Sequence, residues 1–312
     1  MQVRISVVTV TLNRRDHLER AISSVVAQGL EDVEHIVIDG ASTDGTVDLL
    51  RKHSHLNWIS EPDTGMYAAL NKGLKRASGD LICILNSDDT IPPGAFACAR
   101  RALAGAPTLD MISGPVEMVN LSAEGERRVT IVDASQFLTL REQDIGPGIT
   151  LTNGRYLTRR LVERVGLFDE RYKMVSDKDY LLRVLLTKPH NVCVSQPLYS
   201  YGVHEGSLTF SGASAVERLA KESLIAAQNG LAEASSGAER AAYARWHAWA
   251  LFYWVGLQGL RGNLSQALSS VLDGSRRDPG WILRLPGPVL RHLRERRLRA
   301  GHVMAPARFT AT

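Results

Sequence analysis

Short apolar runs alternate with stretches of helical periodicity along the first third of the chain. The runs are four to six residues long, rich in valine, isoleucine and leucine, and they occupy residues 5–9, 34–39, 57–60, 81–85 and 110–113. Runs of this length and composition are typical of strands that are buried on both faces of a parallel sheet. The pattern therefore predicts five such strands.

The segments between these strands predict helices. Apolar residues recur at helical spacing over residues 18–26, after Asp16, which we expect to cap the first helix. The second helix is predicted to open at residues 42–45 and the third to run over residues 66–77. Strands that alternate with helices in this way favour an α/β fold with an open, mainly parallel sheet flanked by helices.

Polar residues follow the predicted strands at the points where the strands end. They are Thr9, Thr11, Asp39, Glu61, Asp63, Asn86, Asp88 and Asp89. Carboxyl ends of parallel strands meet at one edge of a sheet, where ligands bind, so the set favours a binding site over a series of unrelated turns. The chain contains neither G-x-G-x-x-G nor G-x-x-x-x-G-K-[ST], so another device must neutralise the phosphates of any nucleotide.

Two adjacent carboxylates, Asp88 and Asp89, follow the fourth strand and precede Pro92 and Pro93. Carboxylate oxygens bind Mg²⁺ or Mn²⁺, and such an ion can bridge the oxygens of a diphosphate leaving group. The prolines restrict the backbone of this loop and could fix the direction of the carboxylates. The alternative is an acidic surface turn without a ligand.

Several of these segments carry a resemblance to a known family. ISVVTVTLNR at the start, HIVIDGASTDGT, SEPDTGMYAALNKGLKRASGD and LNSDD resemble, in order and spacing, the nucleotide-sugar-dependent glycosyltransferases of family 2. A later segment, GLFDERYKMVSDKDYLLRV, extends the resemblance to about two thirds of the chain. The resemblance implies the Rossmann-like GT-A fold and an inverting transfer of sugar from a nucleoside-diphosphate sugar, UDP-linked by default.

The resemblance also implies roles for the residues that bind the donor. Asp39 takes the place of the acid that binds the donor's base, and Thr9 and Thr11 line the same pocket. Asp63 and Lys72 lie in EPDTGMYAALNKG and are expected to bind the nucleotide sugar, although Lys72 could either pair with phosphate or lie on the solvent face of its helix.

The metal site implied by the resemblance centres on Asp88. Asn86 and Asp88 occupy the first and last places of the family's D-x-D motif, so Asp88 is the expected ligand of Mg²⁺ or Mn²⁺. Asn86 departs from the usual aspartate, and because an amide is neutral, metal affinity rests more heavily on Asp88 and Asp89. His204, in a segment that resembles the family's closing His-x-x-Ser, is expected to reach the metal or the diphosphate, or to serve only as a hydrogen-bonding residue.

The catalytic base implied by the resemblance is Asp177. It takes the place of the acid that deprotonates the acceptor hydroxyl, but Ser176 stands where glutamate is common and Asp179 is the next acid along the chain. The acceptor is expected to be a saccharide or a lipid-linked molecule in the assembly of cell-surface polysaccharide or glycoconjugate.

Composition narrows the class of protein and its expected cellular compartment further. The three cysteines, Cys83, Cys98 and Cys193, show no C-x-x-C pairing, which favours a reducing cytoplasm over a disulfide framework or a zinc site. The longest apolar stretch, at residues 249–260, is shorter than the roughly 20 residues of a membrane-spanning helix. Nothing in the sequence indicates a nucleic-acid partner.

The last third of the chain predicts a helical extension, so we expect a GT-A domain over residues 1–212 and an extension over 213–312. Its aromatic residues near 246–254 favour a helical core over a membrane-interface surface. Of the net charge of +4, residues 281–299 carry +5, with six arginines and one glutamate, and the rest of the chain −1. These basic residues predict either peripheral contact with the inner face of the plasma membrane or a solvated tail.

Two other functions compete with an active transferase. One is a catalytically silent protein that binds a nucleotide sugar, with Asn86 and Ser176 as decayed positions. The other is a nucleotidyltransferase, which usually carries a glycine-rich basic loop near its start. The segment TVTLNRRDH is not glycine-rich, and Asp39, Asp88 and Asp177 are all retained.

Overall fold

The computed structural model describes residues 3–29, 31–122, 125–130, 145, 152–203 and 213–285. The chain divides into one unit formed by Met1–Glu142 with Ile149–Glu222, and a second formed by Gln143–Gly148 with Ser223–Thr312. The boundary expected from the sequence, between residues 212 and 213, stays a prediction.

Among the described residues of the first unit, ten strands form two sheets. They are β1 (Ile5–Thr11), β2 (Val33–Asp39), β3 (Leu56–Ser60), β4 (Leu81–Asn86), β5 (Met111–Ser113), β6 (Val116–Ser122), β7 (Gly125–Thr130), β8 (Arg155–Thr158), β9 (Asn191–Cys193) and β10 (Tyr199–Val203). Seven of them make the main sheet, in the order β3-β2-β1-β4-β8-β5-β9, and β8 alone runs antiparallel to its neighbours. In the smaller sheet β6 pairs parallel with β10 and antiparallel with β7. The five strands predicted from the apolar runs are all present, and the mainly parallel α/β fold is confirmed.

Helices cover both faces of the main sheet. They are α1 (Arg15–Val26), α2 (Thr46–Arg51), α3 (Met66–Arg76), α4 (Ala95–Gly105), α5 (Arg159–Val165) and α6 (Ser176–Leu186), and α7 (Ala213–Glu233) follows. Apolar residues of α1 and α4 pack on one face of the sheet, and those of α3, α5 and α6 pack on the other. The division between the two units falls within α7, after Glu222.

The prediction that Asp16 caps the first helix is wrong. The N-cap residue of α1 is Arg14, and Asp16 lies in the first turn without capping it. A carboxylate in the first turn still interacts favourably with the positive end of the helix dipole, which accounts for an acid at this position.

Helix α3 lies unusually close to the centre of the sheet. Gly73 faces Val8 of β1, and a Cβ atom added at Gly73 would lie 2.3 Å from Cγ1 of Val8. Because Val8 is fully buried and branched at Cβ, it has no room to move away. Glycine at this position therefore sets how closely α3, and the loop that precedes it, can approach the sheet.

The register of the parallel strands brings their carboxyl ends to one edge. Thr11 of β1 pairs with Asp39 of β2, and Asp39 pairs in turn with Ser60 of β3. On the other side of β1, Val10 pairs with Asn86 of β4. The polar residues that end four different segments of the sequence thus share one edge of the sheet.

The second unit is helical over the residues that the structure describes. After the end of α7, it contains α8 (Gly237–Leu260), α9 (Leu264–Arg277) and a 3₁₀ turn at Trp281–Arg284. Trp246, Trp254 and Trp281 are buried, and each indole N–H donates to a serine hydroxyl, at 2.9, 3.1 and 3.0 Å. These tryptophans belong to a helical core, as the sequence favoured, whereas Phe252 and Tyr253 of the same aromatic stretch are exposed. Among the described residues, none of the helices combines the length and the apolar character needed to cross a bilayer.

Candidate active site

The carboxylate of Asp39 is buried at the end of β2 and is held in a fixed direction. It accepts hydrogen bonds from the Ser60 hydroxyl at 2.6 Å and from the Ser42 backbone N–H at 3.0 Å, and the Ser42 hydroxyl also donates to it. Its register partner Thr11 is buried too, and the Thr11 hydroxyl has no hydrogen-bond partner. Buried polar groups nearly always find a partner, so the unpartnered hydroxyl of Thr11 beside a buried carboxylate is an exception in this fold.

Thr9, which the sequence assigned to the same pocket, has a partner inside the fold. Its hydroxyl lies 2.9 Å from Nε2 of His35, and both side chains are buried. Burial, with the nearby His55 and His53, lowers the pKa of His35 to about 3, so the imidazole is neutral at physiological pH. The structure therefore brings Thr11 and Asp39 together at the edge and places the Thr9 hydroxyl in the core.

Asp63 lies at the same edge as Asp39. Its Oδ1 accepts from the backbone N–H of Gly65 at 2.8 Å, and its Oδ2 would lie 2.9 Å from a Cβ at Gly40, the residue after Asp39. Any side chain at Gly40 would thus push this carboxylate away, and the glycine is what allows the two aspartates to lie in neighbouring segments.

The ammonium group of Lys72 contacts two neighbouring groups of the protein. Its ammonium forms an ion pair with Glu61, Nζ to Oε1 2.7 Å, and donates to the carbonyl of Pro62 at 3.3 Å. The hydrogen bond and charge of Lys72 lower the pKa of the exposed Glu61. The ion pair ties α3 to Glu61, the residue that directly follows β3, and a contact of Lys72 with the nucleotide sugar stays a prediction.

Asp89 is buried at the end of β4, and protein donors occupy both of its oxygens. The Tyr199 hydroxyl donates at 2.5 Å, the Gly202 N–H at 2.7 Å and the Asn86 amide at 3.0 Å. Burial and the neighbouring charge of Asp88 raise the pKa of Asp89 to about 7. Asp89 therefore links the end of β4 to β10, and Asp88, which is half-buried, is the more accessible of the two acids.

The residues around Asp88 suit the binding of a divalent cation that the phosphates of a nucleotide also coordinate. Ions of this kind are commonly held by one or two carboxylates together with phosphate oxygens of the substrate, and the repulsion between Asp88 and Asp89 is what such a cation relieves. No group of three or more metal-binding side chains occurs within the described ranges. His204 lies outside the described residues, so its expected contact with the metal stays a prediction.

Asp177 is the second residue of α6 and is half-buried within a dense protein shell. Burial raises the pKa of its carboxyl to about 6, although the charge and backbone N–H of Lys178 and the hydroxyl of Tyr67 all act to lower it. The Lys178 N–H donates to Oδ1 at 2.8 Å. A general base works best with a pKa near the operating pH, and this environment moves an aspartate in that direction.

Asp179 has a different role in the same helix. It is buried in an ion pair with Arg183, Nε to Oδ2 2.9 Å, and Arg183 also donates to the carbonyls of Val165 and Leu167. Residues two apart on a helix do not face each other, so Asp177 and Asp179 point in different directions. Asp179 is thus engaged by Arg183, and the choice of Asp177 over Asp179 as the base stays a prediction.

Three residues of the site were not predicted from the sequence: Tyr67, Tyr199 and Glu222. Tyr67 contacts Asp177 and stacks on Phe168, with ring centroids 5.5 Å apart, and it could have been noticed because it lies within the quoted segment SEPDTGMYAALNKGLKRASGD. Tyr199 is 110 residues from Asp89 in the sequence, and no local pattern could connect them.

The fold and this site define a class of protein. A mainly parallel α/β sheet that collects buried carboxylates at its strand ends, next to a helix that carries an aspartate with a raised pKa, is the arrangement of a GT-A nucleotide-sugar transferase.

Residues 6–152 match the model of glycosyl transferase family 2. An uncharacterized glycosyltransferase of Mycobacterium tuberculosis is 34% identical over 189 residues, which cover 58% of this chain and 69% of that protein. The chain belongs to glycosyltransferase family 2 and is a glycosyltransferase.

Solved structures share the fold. A mannosyltransferase from Pyrobaculum calidifontis, in complex with GDP-Man and Mn²⁺, is 18% identical with a TM-score of 0.58, over 95% of this chain and 88% of that one. Residues 1–349 of TarS from S. aureus, in complex with UDP-GlcNAc, are 17% identical with a TM-score of 0.54. The match covers 90% of this chain and 92% of that chain. At these identities the likeness confirms the expected GT-A fold.

Proposed function

We propose that the protein is an inverting glycosyltransferase that moves a sugar from a nucleoside-diphosphate sugar to a hydroxyl acceptor, with Asp177 as the base. The observation that carries the proposal is the connection between Asp177 and the loop after β3. Tyr67, near the start of α3, contacts Asp177, and the ammonium of Lys173 donates to the carbonyl of Thr64 at 2.6 Å. The same loop contains Asp63, so the base lies beside the edge that receives the donor.

The donor's base is expected to bind at Asp39 and Thr11. A buried carboxylate accepts a ring N–H, and the unpartnered Thr11 hydroxyl offers a hydrogen bond next to it. The two structural relatives are in complex with GDP-Man and UDP-GlcNAc, so they support a nucleotide-sugar donor without choosing its base. UDP remains the default expectation.

The chemistry needs one base and one stabilised leaving group. Asp177 removes the proton of the acceptor hydroxyl while that oxygen attacks the anomeric carbon, and the bond to the diphosphate breaks on the opposite side. The proton remains on Asp177, the diphosphate leaves with the bonding electrons, and a single displacement inverts the anomeric centre. Mg²⁺ or Mn²⁺ held by Asp88, with Asn86 beside it, would neutralise charge on the departing diphosphate. His204 is expected, from the resemblance alone, to contribute at this site.

A donor screen tests this proposal. Release of nucleoside diphosphate from UDP-, GDP- and dTDP-sugars is measured with Mg²⁺ or Mn²⁺, for the wild type, Asp88→Ala, Asp177→Asn and the exposed control Glu163→Gln. We expect metal-dependent release from one donor, loss of release in Asp88→Ala, and retained donor binding without transfer in Asp177→Asn. A wild type that binds donor but never transfers sugar to any acceptor would support a silent binding protein instead.

We also propose that the second unit contacts a membrane that carries a lipid-linked acceptor. Leu264, Leu268 and Leu272 recur every four residues along α9, which places them on one side of the helix, and they are 70%, 63% and 53% exposed. The chain continues into residues 281–299, which carry a net charge of +5. An apolar helix face that is followed in the sequence by a basic segment is a combination suited to anionic bilayer surfaces.

Vesicle sedimentation tests the membrane contact. We expect binding to vesicles of phosphatidylcholine with phosphatidylglycerol that falls when the three leucines of α9 become serine. The matched control is the triple change Val216→Ser, Leu219→Ser and Ile225→Ser on α7, whose side chains are also exposed. Equal binding by both triple variants would overturn the assignment to α9. A role in cell-surface polysaccharide or glycoconjugate assembly stays a prediction from the resemblance.

A further inference from the structure

The carboxylate of Glu222, on α7, accepts hydrogen bonds from three consecutive backbone N–H groups. Lys173 donates to Oε1 at 2.7 Å, and Met174 and Val175 donate to Oε2 at 2.5 and 3.0 Å. Glu222 is 47 to 49 residues away from these donors in the sequence. Bonds between backbone N–H groups and an ionised carboxylate are short and about twice as strong as neutral ones. Three of them on one side chain hold this segment firmly.

The segment needs such an acceptor because α6 has no cap of its own. The N-cap residue of α6 is Val175, whose side chain has no oxygen, and no side-chain cap bond is present. In a capping box, a glutamate of the first turn accepts the N–H of the N-cap residue. Here the carboxylate that accepts the Val175 N–H comes from a different helix, and its negative charge lies at the positive end of the α6 dipole.

Residues 173–175 lead directly to the proposed base, Asp177. Asp177 follows Val175 by two residues, so the direction in which α6 begins sets where the Asp177 carboxylate lies. On the other side, Lys173 reaches the loop after β3, with Nζ 2.6 Å from the carbonyl of Thr64. Tyr67 then contacts Asp177 from α3. Glu222 thus fixes the backbone between the donor-side loop and the proposed base.

We propose that Glu222 is a positioning residue for the transfer reaction, which holds the start of α6 so that Asp177 is aligned with the acceptor hydroxyl. This inference rests on the proposed function of Asp177 as the base. Glu222 itself acts only on backbone N–H groups. Its loss should therefore lower the rate of transfer and leave the binding of donor and metal unchanged.

A purely structural cap would predict a different result. In that case Glu222→Gln would lower stability and leave the turnover of the folded enzyme unchanged. A positioning role also predicts a change in the pH profile, since a looser start of α6 exposes Asp177 to more water and brings the pKa of its carboxyl down from about 6. The charged or titratable groups that act on Asp177 are Tyr67 and Lys178. Glu222→Gln leaves both residues in place but removes the charge of Glu222, which also acts on Tyr67.

The experiment compares the wild type with Glu222→Gln and with Glu163→Gln, a matched change on α5 at an exposed glutamate. Glutamine keeps the size of the side chain but retains one acceptor oxygen and presents an N–H₂ group to the remaining donors. Three quantities are measured: the affinity for nucleoside diphosphate with metal, the steady-state constants of transfer over a range of pH, and amide hydrogen exchange of residues 171–177.

In Glu222→Gln we expect faster amide exchange at residues 173–175, a fall in kcat of about 10- to 100-fold, and a nucleotide affinity within about twofold of the wild type, since a displacement of about 1 Å costs up to about 100-fold in rate. The acid limb of the profile should move to lower pH. Glu163→Gln should match the wild type throughout.

Faster exchange with unchanged kcat would overturn the positioning role, and unchanged exchange would overturn the contact itself. A wild type without transfer to any acceptor would instead refute the proposed function, and the exchange measurement would still show whether Glu222 holds the segment.

Discussion

Replacing Asp177 with asparagine should remove transfer and at the same time make the protein more stable at alkaline pH. Burial raises the pKa of the folded Asp177 to about 6, whereas the ordinary value is 3.8. The folded protein therefore holds the proton more tightly than the unfolded chain. Above about pH 6 the folded state must keep a carboxylate that its environment disfavours, so the wild type loses stability as pH rises through the window from about 4 to 6.

The size of the effect follows from the two pKa values. A difference of about two units, at 1.36 kcal/mol per unit, gives an upper limit of about 3 kcal/mol. Because Asp177 is partly exposed, we expect about 1 to 2 kcal/mol, which corresponds to about 2 to 8 °C in Tm for a unit of this size. The amide oxygen can still accept from the Lys178 N–H, and the Tyr67 hydroxyl can either donate or accept.

The assay is thermal unfolding of the wild type, Asp177→Asn and Asp179→Asn at pH 8 and near pH 4.5. Asp177→Asn should have the higher Tm at pH 8, and the advantage should shrink at the lower pH. Asp179→Asn should be destabilised at pH 8, because it leaves Arg183 without its buried partner. An Asp177→Asn protein that is equal to or less stable than the wild type at pH 8 would refute the argument from burial, and one that still transfers sugar would refute the assignment of the base.

Three further predictions concern other parts of the first unit. Thr11→Val should keep or slightly raise stability, because it removes an unpartnered buried hydroxyl, and should weaken nucleotide binding about 10-fold in calorimetry; unchanged affinity would contradict a donor pocket at Thr11. Gly73→Ala should lower the free energy of unfolding in urea by about 1 to 2 kcal/mol, since its Cβ would overlap Val8 and overpacking outweighs the better helix propensity of alanine. The pKa of His35 is lowered to about 3 from 6.5, so the protein should lose stability as pH falls from about 6.5 towards 3. A double variant, His35→Leu with Thr9→Val, should lack that loss in urea unfolding at several pH values.

The polar residues at the strand ends were predicted from the local sequence pattern. The structure shows which of their properties that pattern can and cannot predict. Asp39, Asp63 and Asn86 lie at the edge because each ends or follows a strand, and strands are recognisable from short apolar runs. Thr9 and Thr11 share that local signal, yet one bonds His35 in the core and the other has no partner at the edge. Spacing assigns both threonines to one face of β1 but cannot say which neighbouring side chain meets each of them.

The same limit applies to charged residues. Lys72 pairs with Glu61, a contact between two exposed or half-buried side chains that sequence spacing does not require. Asp89 is held by Tyr199, whose position beside it depends on the packing of β10. The choice between Asp177 and Asp179 depends on which of them meets Arg183 and which meets Tyr67.

The sequence by itself determined the α/β class, the five leading strands, the polar residues that end them and the family to which the chain belongs. These features depend on periodicity and on order along the chain, which are local properties. Only the tertiary structure decided that the Thr11 hydroxyl stays unpartnered, that Asp89 and Asp177 have a raised pKa, and that Glu222 holds the start of α6. Hydrogen-bond partners and burial are set by residues that are distant in sequence, and they control the charge and direction of every group in the site.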